Sequence, residues 1–278
     1  MQDTTKSIAQ IVMVAIAAVA LLLGNSVALA DDAAECVVAS GKKQWKQALE
    51  SCTRAAEKGD VVAQYNLGVM YEAGLGVAQN YKEAMRLLKL AAEKGYAEAQ
   101  NNLGVMYRDG LGVEQNYKEA MRLWGLAAAQ GLAIAQNNLG VVYLDGLGVE
   151  RNYKEALKLF DLAAAQGSAE AQTNLGIMYM HGLGVAQHYK QSIRWFTRAA
   201  AQGLAEAQYY LGAMYANGQG VSVDYLRAFM WLNLAATSGD NSAVKGREKV
   251  ANKMTKAQIA TAQEMARKCQ ASNYKSCD

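Results

Sequence analysis

The stretch that decides the fold is AQNNLGVMYRDGLGVEQNYKEAMRLWGLAAAQG, residues 99–131, because the chain repeats it. The following copy reads AQNNLGVVYLDGLGVERNYKEALKLFDLAAAQG, residues 135–167. Successive copies start 36 residues apart, at Ala63, Ala99, Ala135, Ala171 and Ala207. Self-similarity at such a period indicates a repeat protein, in which each unit buries its apolar face by stacking on its neighbours. Arrays of this kind usually serve as binding surfaces and not as catalysts.

Each copy carries the signals of two antiparallel helices. In the first copy, apolar residues recur at helical spacing and predict a helix A over 61–73, which Gly74 ends. Asn80 precedes Glu83 by three residues, an arrangement like a capping box, and predicts the start of a helix B over 81–94. The chain contains no proline, so no residue lacks the backbone donor that a helix needs. The sequence therefore predicts an all-α protein.

The spacing of small and apolar residues resembles the tetratricopeptide pattern. In the first copy these residues are Leu67, Gly68, Tyr71, Ala84, Leu88 and Ala91. The longer Gly-Leu-Gly-Val turn and the 36-residue period are similar to the related Sel1-like repeat family, and the resemblance covers about residues 43–250. It implies a right-handed α/α superhelical solenoid. The chain departs from the family by lacking a proline after Gly-x-Gly-Val, which should leave the fold intact.

Four segments are predicted along the chain. Residues 1–30 form a signal peptide, 31–62 an N-terminal partial repeat, 63–242 the five Sel1-like repeats, and 243–278 a C-terminal capping helix and tail. Solenoids need a polar cap at each terminal repeat, which is the role assigned to the last segment.

The N-terminal segment indicates export. Lys6 precedes an apolar run over 11–23, and Ala28-Leu29-Ala30 predicts cleavage near Ala30. The run is too short to span a bilayer comfortably, so an uncleaved membrane anchor is the weaker alternative. We therefore expect no stable membrane insertion after cleavage, and a periplasmic or secreted protein of a bacterial cell envelope. A eukaryotic secretory lumen is the other compartment that fits.

The cysteines favour disulfides over a metal site. An exported chain with an even number of cysteines generally forms disulfides, and four cysteines allow three pairings. The two short-range pairs lie at opposite ends of the repeats, which suggests Cys36–Cys52 and Cys269–Cys277. No Cys-x-x-Cys spacing supports a metal, and no motif indicates a cofactor. The net charge of +3 is too small to indicate nucleic acid as a partner.

Helix A supplies the predicted binding surface. Tetratricopeptide geometry would place one of its faces on the inner, concave side of the solenoid, where amides and carboxylates of successive repeats come into register. The predicted partner-binding residues are Glu98, Asn101, Asp109, Asn137, Asp145, Glu170 and Thr173. Such a groove suits an extended peptide or a partner's helix, and its carboxylates favour Lys or Arg in that partner. The chain is predicted to be a non-catalytic adaptor for a protein or peptide.

Two other functions are weighed against the adaptor. Serine-x-x-lysine, the nucleophile–base spacing of penicillin-interacting enzymes, occurs at Ser40/Lys43, Ser242/Lys245 and Ser272/Lys275, although the companion motifs are absent. Basic residues also recur along helix B, at Lys82, Lys118, Lys154 and Lys190 and at Arg86, Arg122, Lys158 and Arg194. These could bind envelope glycans or anionic lipid, but a solvated face is the simpler interpretation because glutamates lie three residues before the second row.

Overall fold

The computed structural model describes residues 32–277, and all regular secondary structure in that range is helical. The helices are α1 (Asp32–Gly41), α2 (Trp45–Glu57), α3 (Val61–Ala73), α4 (Tyr81–Glu93), α5 (Ala97–Asp109), α6 (Tyr117–Ala129), α7 (Ala133–Asp145), α8 (Tyr153–Ala165), α9 (Ala169–His181), α10 (Tyr189–Ala200), α11 (Ala205–Asn217), α12 (Tyr225–Ala236), α13 (Asn241–Ala251) and α14 (Lys256–Ala271). The predicted all-α class is confirmed. The predicted signal peptide lies outside the described residues.

The described part of the chain divides into two compact units, the first ending at Ala135 and the second beginning at Gln136. In the first unit each helix from α1 to α6 packs against the next. In the second unit the helices from α8 to α13 do the same, and α14 packs against α12. Within 32–277, no helix has both the length and the apolar character needed to cross a bilayer.

Helix boundaries follow the predicted signals closely, with one correction at the caps. The first helix A spans Val61–Ala73, and Gly74 ends it with φ of +66°. The Asn80 side chain accepts the backbone N–H of Glu83 at 3.1 Å, which caps helix B. The capping box predicted here is wrong, however. The Glu83 carboxylate binds the Arg86 guanidinium at 2.6 Å, and the backbone N–H of Asn80 donates to the carbonyl of Tyr71.

A glycine in each helix A receives a large side chain from the following helix B. A Cβ added at Gly104 would lie 2.7 Å from Nε1 of Trp124, which is fully buried and donates to the carbonyl of Asn101 at 3.1 Å. The equivalent pairs are Gly68/Leu88, Gly140/Phe160, Gly176/Phe196 and Gly212/Leu232. The glycines therefore allow the two helices of a repeat to approach closely, and they leave room for one large side chain of helix B to pack against helix A.

Disulfides lie near both ends of the described chain. Cys36 of α1 is bonded to Cys52 of α2, with the Cα atoms 4.6 Å apart. Cys269 of α14 is bonded to Cys277, with the Cα atoms 4.5 Å apart. The second link is possible because the chain turns back after α14, where Asn273 has a φ of +53°.

The C-terminal region contains more helix than the sequence suggested. The repeat pattern fades after 243, and the sequence predicts one capping helix and a tail over 243–278. The structure has α13 as well as α14. Because α13 begins 36 residues after α11, it is an incomplete sixth helix A.

Candidate functional site

The predicted amide and hydroxyl contacts are not on the surface. Asn101, Asn137 and Thr173 are 3%, 9% and 1% exposed. The Thr173 hydroxyl donates to the carbonyl of Ala169 at 2.9 Å, and the Asn137 carbonyl oxygen accepts from Asn174 at 2.9 Å. The expectation that these three side chains meet a ligand is corrected: in this structure they bond within the fold.

Asn101, Asn137 and Thr173 occupy the same position in successive repeats, and Tyr65 holds that position in the first repeat. The contacts of Tyr65 show why the residues of this column are buried. Tyr65 of α3 is 1% exposed, and its ring centroid lies 5.1 Å from that of Tyr96, the residue immediately before α5. The column therefore points into the junction between one repeat and the next. A side chain there is buried by the stacking of repeats, whatever its polarity.

The predicted carboxylates are accessible. Asp109, Asp145 and Glu170 are exposed, and Glu98 is half-buried. Asp109 forms a two-point ion pair with Arg108, with both N···O distances 2.7 Å. An acidic edge on helix A is thus present, although one of its members already has a cationic neighbour.

The accessible face of helix A runs at spacing i, i+4, i+7 and i+11, one residue away from the predicted amide column. We call it the helix-A stripe, and it comprises Glu98, Asn102, Val105 and Asp109 in α5; Ile134, Asn138, Val141 and Asp145 in α7; Glu170, Asn174, Ile177 and His181 in α9; and Glu206, Tyr210, Ala213 and Asn217 in α11. It contains carboxylates, amides and apolar residues but no lysine or arginine. The sequence alone favours inter-helix hydrogen bonding as the role of Asn102, Asn138 and Asn174, because asparagine recurs at this position from repeat to repeat. Their spacing from Glu98 and Asp109 is the signal that could have placed them on the same face.

The N-terminal partial repeat covers this face in α3. Asn66 is 2% exposed and Val69 is fully buried, whereas their equivalents in α5 are partly accessible. The amide of Asn66 lies 3.7 Å from the sulfur of Cys36 in α1. In the first unit the stripe is therefore open only on α5.

Glu72 adds a carboxylate that the prediction missed. Burial, followed by the charge of Asp109, raises the pKa of Glu72 to about 7. Its Oε2 atom is buried and has no hydrogen-bond partner among the described residues. Two carboxylates thus influence each other where α3 and α5 end.

Most of the basic residues of the second helix-B row are paired on their own helix. Arg86 and Arg122 lie 2.6 Å from Glu83 and Glu119, and Lys158 lies 3.3 Å from Glu155. The bonded arginines lower the pKa of Glu83 and of Glu119. The first row, Lys82, Lys118, Lys154 and Lys190, is exposed. The row nearest the glutamates therefore carries little net positive charge.

The serines of two Ser-x-x-Lys motifs are engaged in the fold. Ser40 is 3% exposed and its hydroxyl lies 3.8 Å from the sulfur of Cys52. The Ser272 hydroxyl donates to the carbonyl of Cys269 at 2.7 Å. Ser242 is exposed in the first turn of α13. No group of three or more His, Cys, Asp or Glu within 32–277 could hold a metal ion.

The repeats match a known family model. The Sel1 repeat model matches residues 61–96, 97–132, 133–168, 169–204 and 205–240. The chain belongs to the Sel1 repeat family. A Sel1 repeat protein from Oxalobacter formigenes is 33% identical in sequence, with a TM-score of 0.75, over 79% of this chain and 87% of that one.

More distant solved structures share the Sel1 repeat fold alone. The immunity protein PA5088 from Pseudomonas aeruginosa is 20% identical, with a TM-score of 0.51, over 71% of this chain and 75% of that one. The immunity protein Pa5087 from the same organism is also 20% identical, with a TM-score of 0.50, over 82% and 83% of the two chains. No curated protein sequence matches this chain significantly.

Proposed function

We propose that this Sel1 repeat protein is an exported, non-catalytic adaptor that binds a protein or peptide partner through the helix-A stripe. A tandem Sel1 array is consistent with a scaffold for protein interaction. The observation that carries the proposal is the accessible line of carboxylates, amides and apolar side chains along helix A, which recurs from one repeat to the next. Regular recurrence suits a ligand that is itself extended or helical.

The negative charge of the stripe favours a partner that carries positive charge. In the second unit, Asp145, Glu170 and Glu206 bear the negative charges of the stripe, and it includes no lysine or arginine. A partner segment with Lys or Arg at intervals would complement these charges. Exposed pairs of this type contribute more to association rate and specificity than to affinity. The apolar members, such as Ile177, would supply contact area between the charges.

Export is part of the proposal. Two disulfides close the ends of the described chain, and disulfides persist in oxidising compartments such as the periplasm. They are compatible with a protein that is cleaved near Ala30 and released into the cell envelope. N-terminal sequencing of the protein purified from its native envelope would test this step, and a chain that still begins at Met1 would contradict it.

Selection from a displayed random peptide library tests the binding surface without knowledge of the natural partner. The mature chain should enrich peptides with Lys or Arg at several positions. Replacing Glu170 and Glu206 by lysine should weaken binding of the selected peptides at least about tenfold, because attraction becomes repulsion. A matched control replaces Glu114 and Glu150, two exposed glutamates outside the stripe, by lysine. It introduces the same charge change and should leave binding within about twofold.

A second control tests the exposed row of lysines on helix B. The double change Lys118→Glu with Lys154→Glu removes positive charge from the exposed row of helix B. Binding should persist in this variant. Loss of binding here, with retention in the Glu170→Lys, Glu206→Lys variant, would transfer the function to the basic row and refute the proposal.

A further inference from the structure

The second unit contains a cavity that the incomplete sixth repeat leaves open. It lies among α11, α12 and α13 and has a volume of about 270 Å³. At position 246 the chain has glycine, where the five preceding helices A have Asn66, Asn102, Asn138, Asn174 and Tyr210. The three atoms nearest to a Cβ built at Gly246 all belong to the Leu232 side chain, at 3.2–3.9 Å. The cavity lies where the helix continues but the repeat sequence is no longer followed.

The walls of the cavity combine apolar surface with two tyrosines. Tyr209 occupies the column that is buried in earlier repeats, but here it is only half-buried. Tyr225 stands at the start of α12, and Leu232 and Val250 supply buried aliphatic surface. Such a lining favours the apolar body of a small ligand, with a few polar groups to orient it.

The charged groups at the cavity are both cations. Lys249 lies in the last turn of α13 and Lys253 lies two residues beyond its end, and both side chains line the cavity. The ammonium of Lys253 is 5.3 Å from the centroid of the Tyr225 ring. None of the described residues that line the cavity is an aspartate or a glutamate, and neither lysine has an ion pair within 32–277. Asn217 adds an amide at the same edge.

We propose that this cavity binds a small organic acid, with its apolar body between Tyr209, Tyr225 and Leu232 and its carboxylate at the ammonium groups of Lys249 and Lys253. Two unpaired cations at the edge of an apolar cavity would attract a carboxylate and disfavour an amine. The volume limits the body to about one aromatic ring or a short aliphatic chain. The site shares Ala213 and Asn217 with the helix-A stripe but includes none of its carboxylates. The acid titration below and the peptide selection with Glu170 and Glu206 can therefore fail independently of each other.

A titration of the full chain with 3-phenylpropionate tests the site, with amide chemical shifts in ¹H–¹⁵N spectra as the readout. Saturable shifts around Gly246 and Tyr225 with a Kd of about 0.1–1 mM are expected for a ligand of this size. The uncharged 3-phenylpropanol should bind at least about tenfold more weakly. The same loss is expected in the variant Lys249→Gln with Lys253→Gln, whose side chains keep two of the four methylene groups of lysine and remain polar.

The matched control variant is Lys118→Gln with Lys154→Gln, which removes two exposed lysines elsewhere and should bind the acid as the parent does. Three outcomes would overturn the site: no shifts up to about 10 mM acid, equal binding of acid and alcohol, or undiminished binding by the Lys249/Lys253 variant. Unchanged spectral dispersion of that variant confirms that it is folded, so a loss of binding in it reports on the site.

Discussion

The close approach of Gly104 to Trp124 makes a quantitative prediction about stability. Replacing Gly104 by alanine places a Cβ 2.7 Å from Nε1 of the indole and 2.9 Å from Cδ1. The ring must move by about 0.7 Å to reach ordinary van der Waals separation. Because Trp124 is fully buried, that movement displaces neighbouring side chains and strains the hydrogen bond to the carbonyl of Asn101.

The expected cost combines three effects. Overpacking of a buried site costs about 1–3 kcal/mol, and weakening the buried indole hydrogen bond adds about 1 kcal/mol. Alanine is favoured over glycine inside a helix by about 1 kcal/mol, which offsets part of the loss. The variant Gly104→Ala should therefore unfold about 1–3 kcal/mol more readily than the parent chain. Gly125 provides a matched control, because it also lies inside a helix and a Cβ there would have no neighbour within 4 Å.

Urea unfolding followed by circular dichroism at 222 nm is a suitable assay. Gly104→Ala should lower the midpoint, and Gly125→Ala should raise it by an amount equivalent to about 0.5–1 kcal/mol. The slope of the transition must be compared as well, since repeat arrays can lose two-state behaviour. If Gly104→Ala proves as stable as Gly125→Ala, the packing account is refuted. The clash is also specific to the indole, so Gly104→Ala should cease to destabilise in a Trp124→Ala background.

Four other outcomes are expected. Burial raises the pKa of Glu72 to about 7, so at intermediate pH the native state holds a proton that the unfolded state releases. The free energy of unfolding should therefore fall by about 1–3 kcal/mol between about pH 4.5 and 7. Thermal unfolding of the variant Glu72→Gln should not show this pH-dependent loss. In the next repeat Gln130 donates to Oε1 of Gln100 at 2.9 Å, and Lys94 is the equivalent of Gln130, so Lys94→Gln should supply a donor to the unpartnered Oε1 of Gln64. Because the exposed bond from Lys94 to the carbonyl of Gly59 is lost, the free energy of unfolding should rise by no more than about 1 kcal/mol, and a decrease would contradict this. Asn101→Ala should lower the free energy of unfolding by about 1–2 kcal/mol, which differential scanning calorimetry would detect as a lower melting temperature. Peptide mapping without reductant should recover both disulfides, and free thiols or links between the two ends would disagree.

Local signals in the sequence were sufficient for the repeat architecture. The 36-residue period, the helix A over 61–73 and the cap at Asn80 depend on residues close together in the chain, and the structure reproduces each of them. The recurrence of glycine at the position of Gly104 in all five repeats likewise indicates a close contact between helices. Backbone preferences and hydrophobic periodicity act within one or two turns, so they can be read without knowing the fold.

Only the tertiary structure decided which polar column of helix A meets solvent. Asn101 and Asn102 are adjacent in sequence and have the same side chain, yet one is 3% exposed and the other is partly accessible. Neighbouring helix positions differ by about 100° around the axis, and the repeat that stacks on the helix covers one of them. The cavity beside Gly246 depends in the same way on how α11, α12 and α13 pack. Both features arise from contacts between separate helices. Sequence periodicity shows that each helix has an apolar and a polar face, but it does not show how those faces are turned relative to the neighbouring helices.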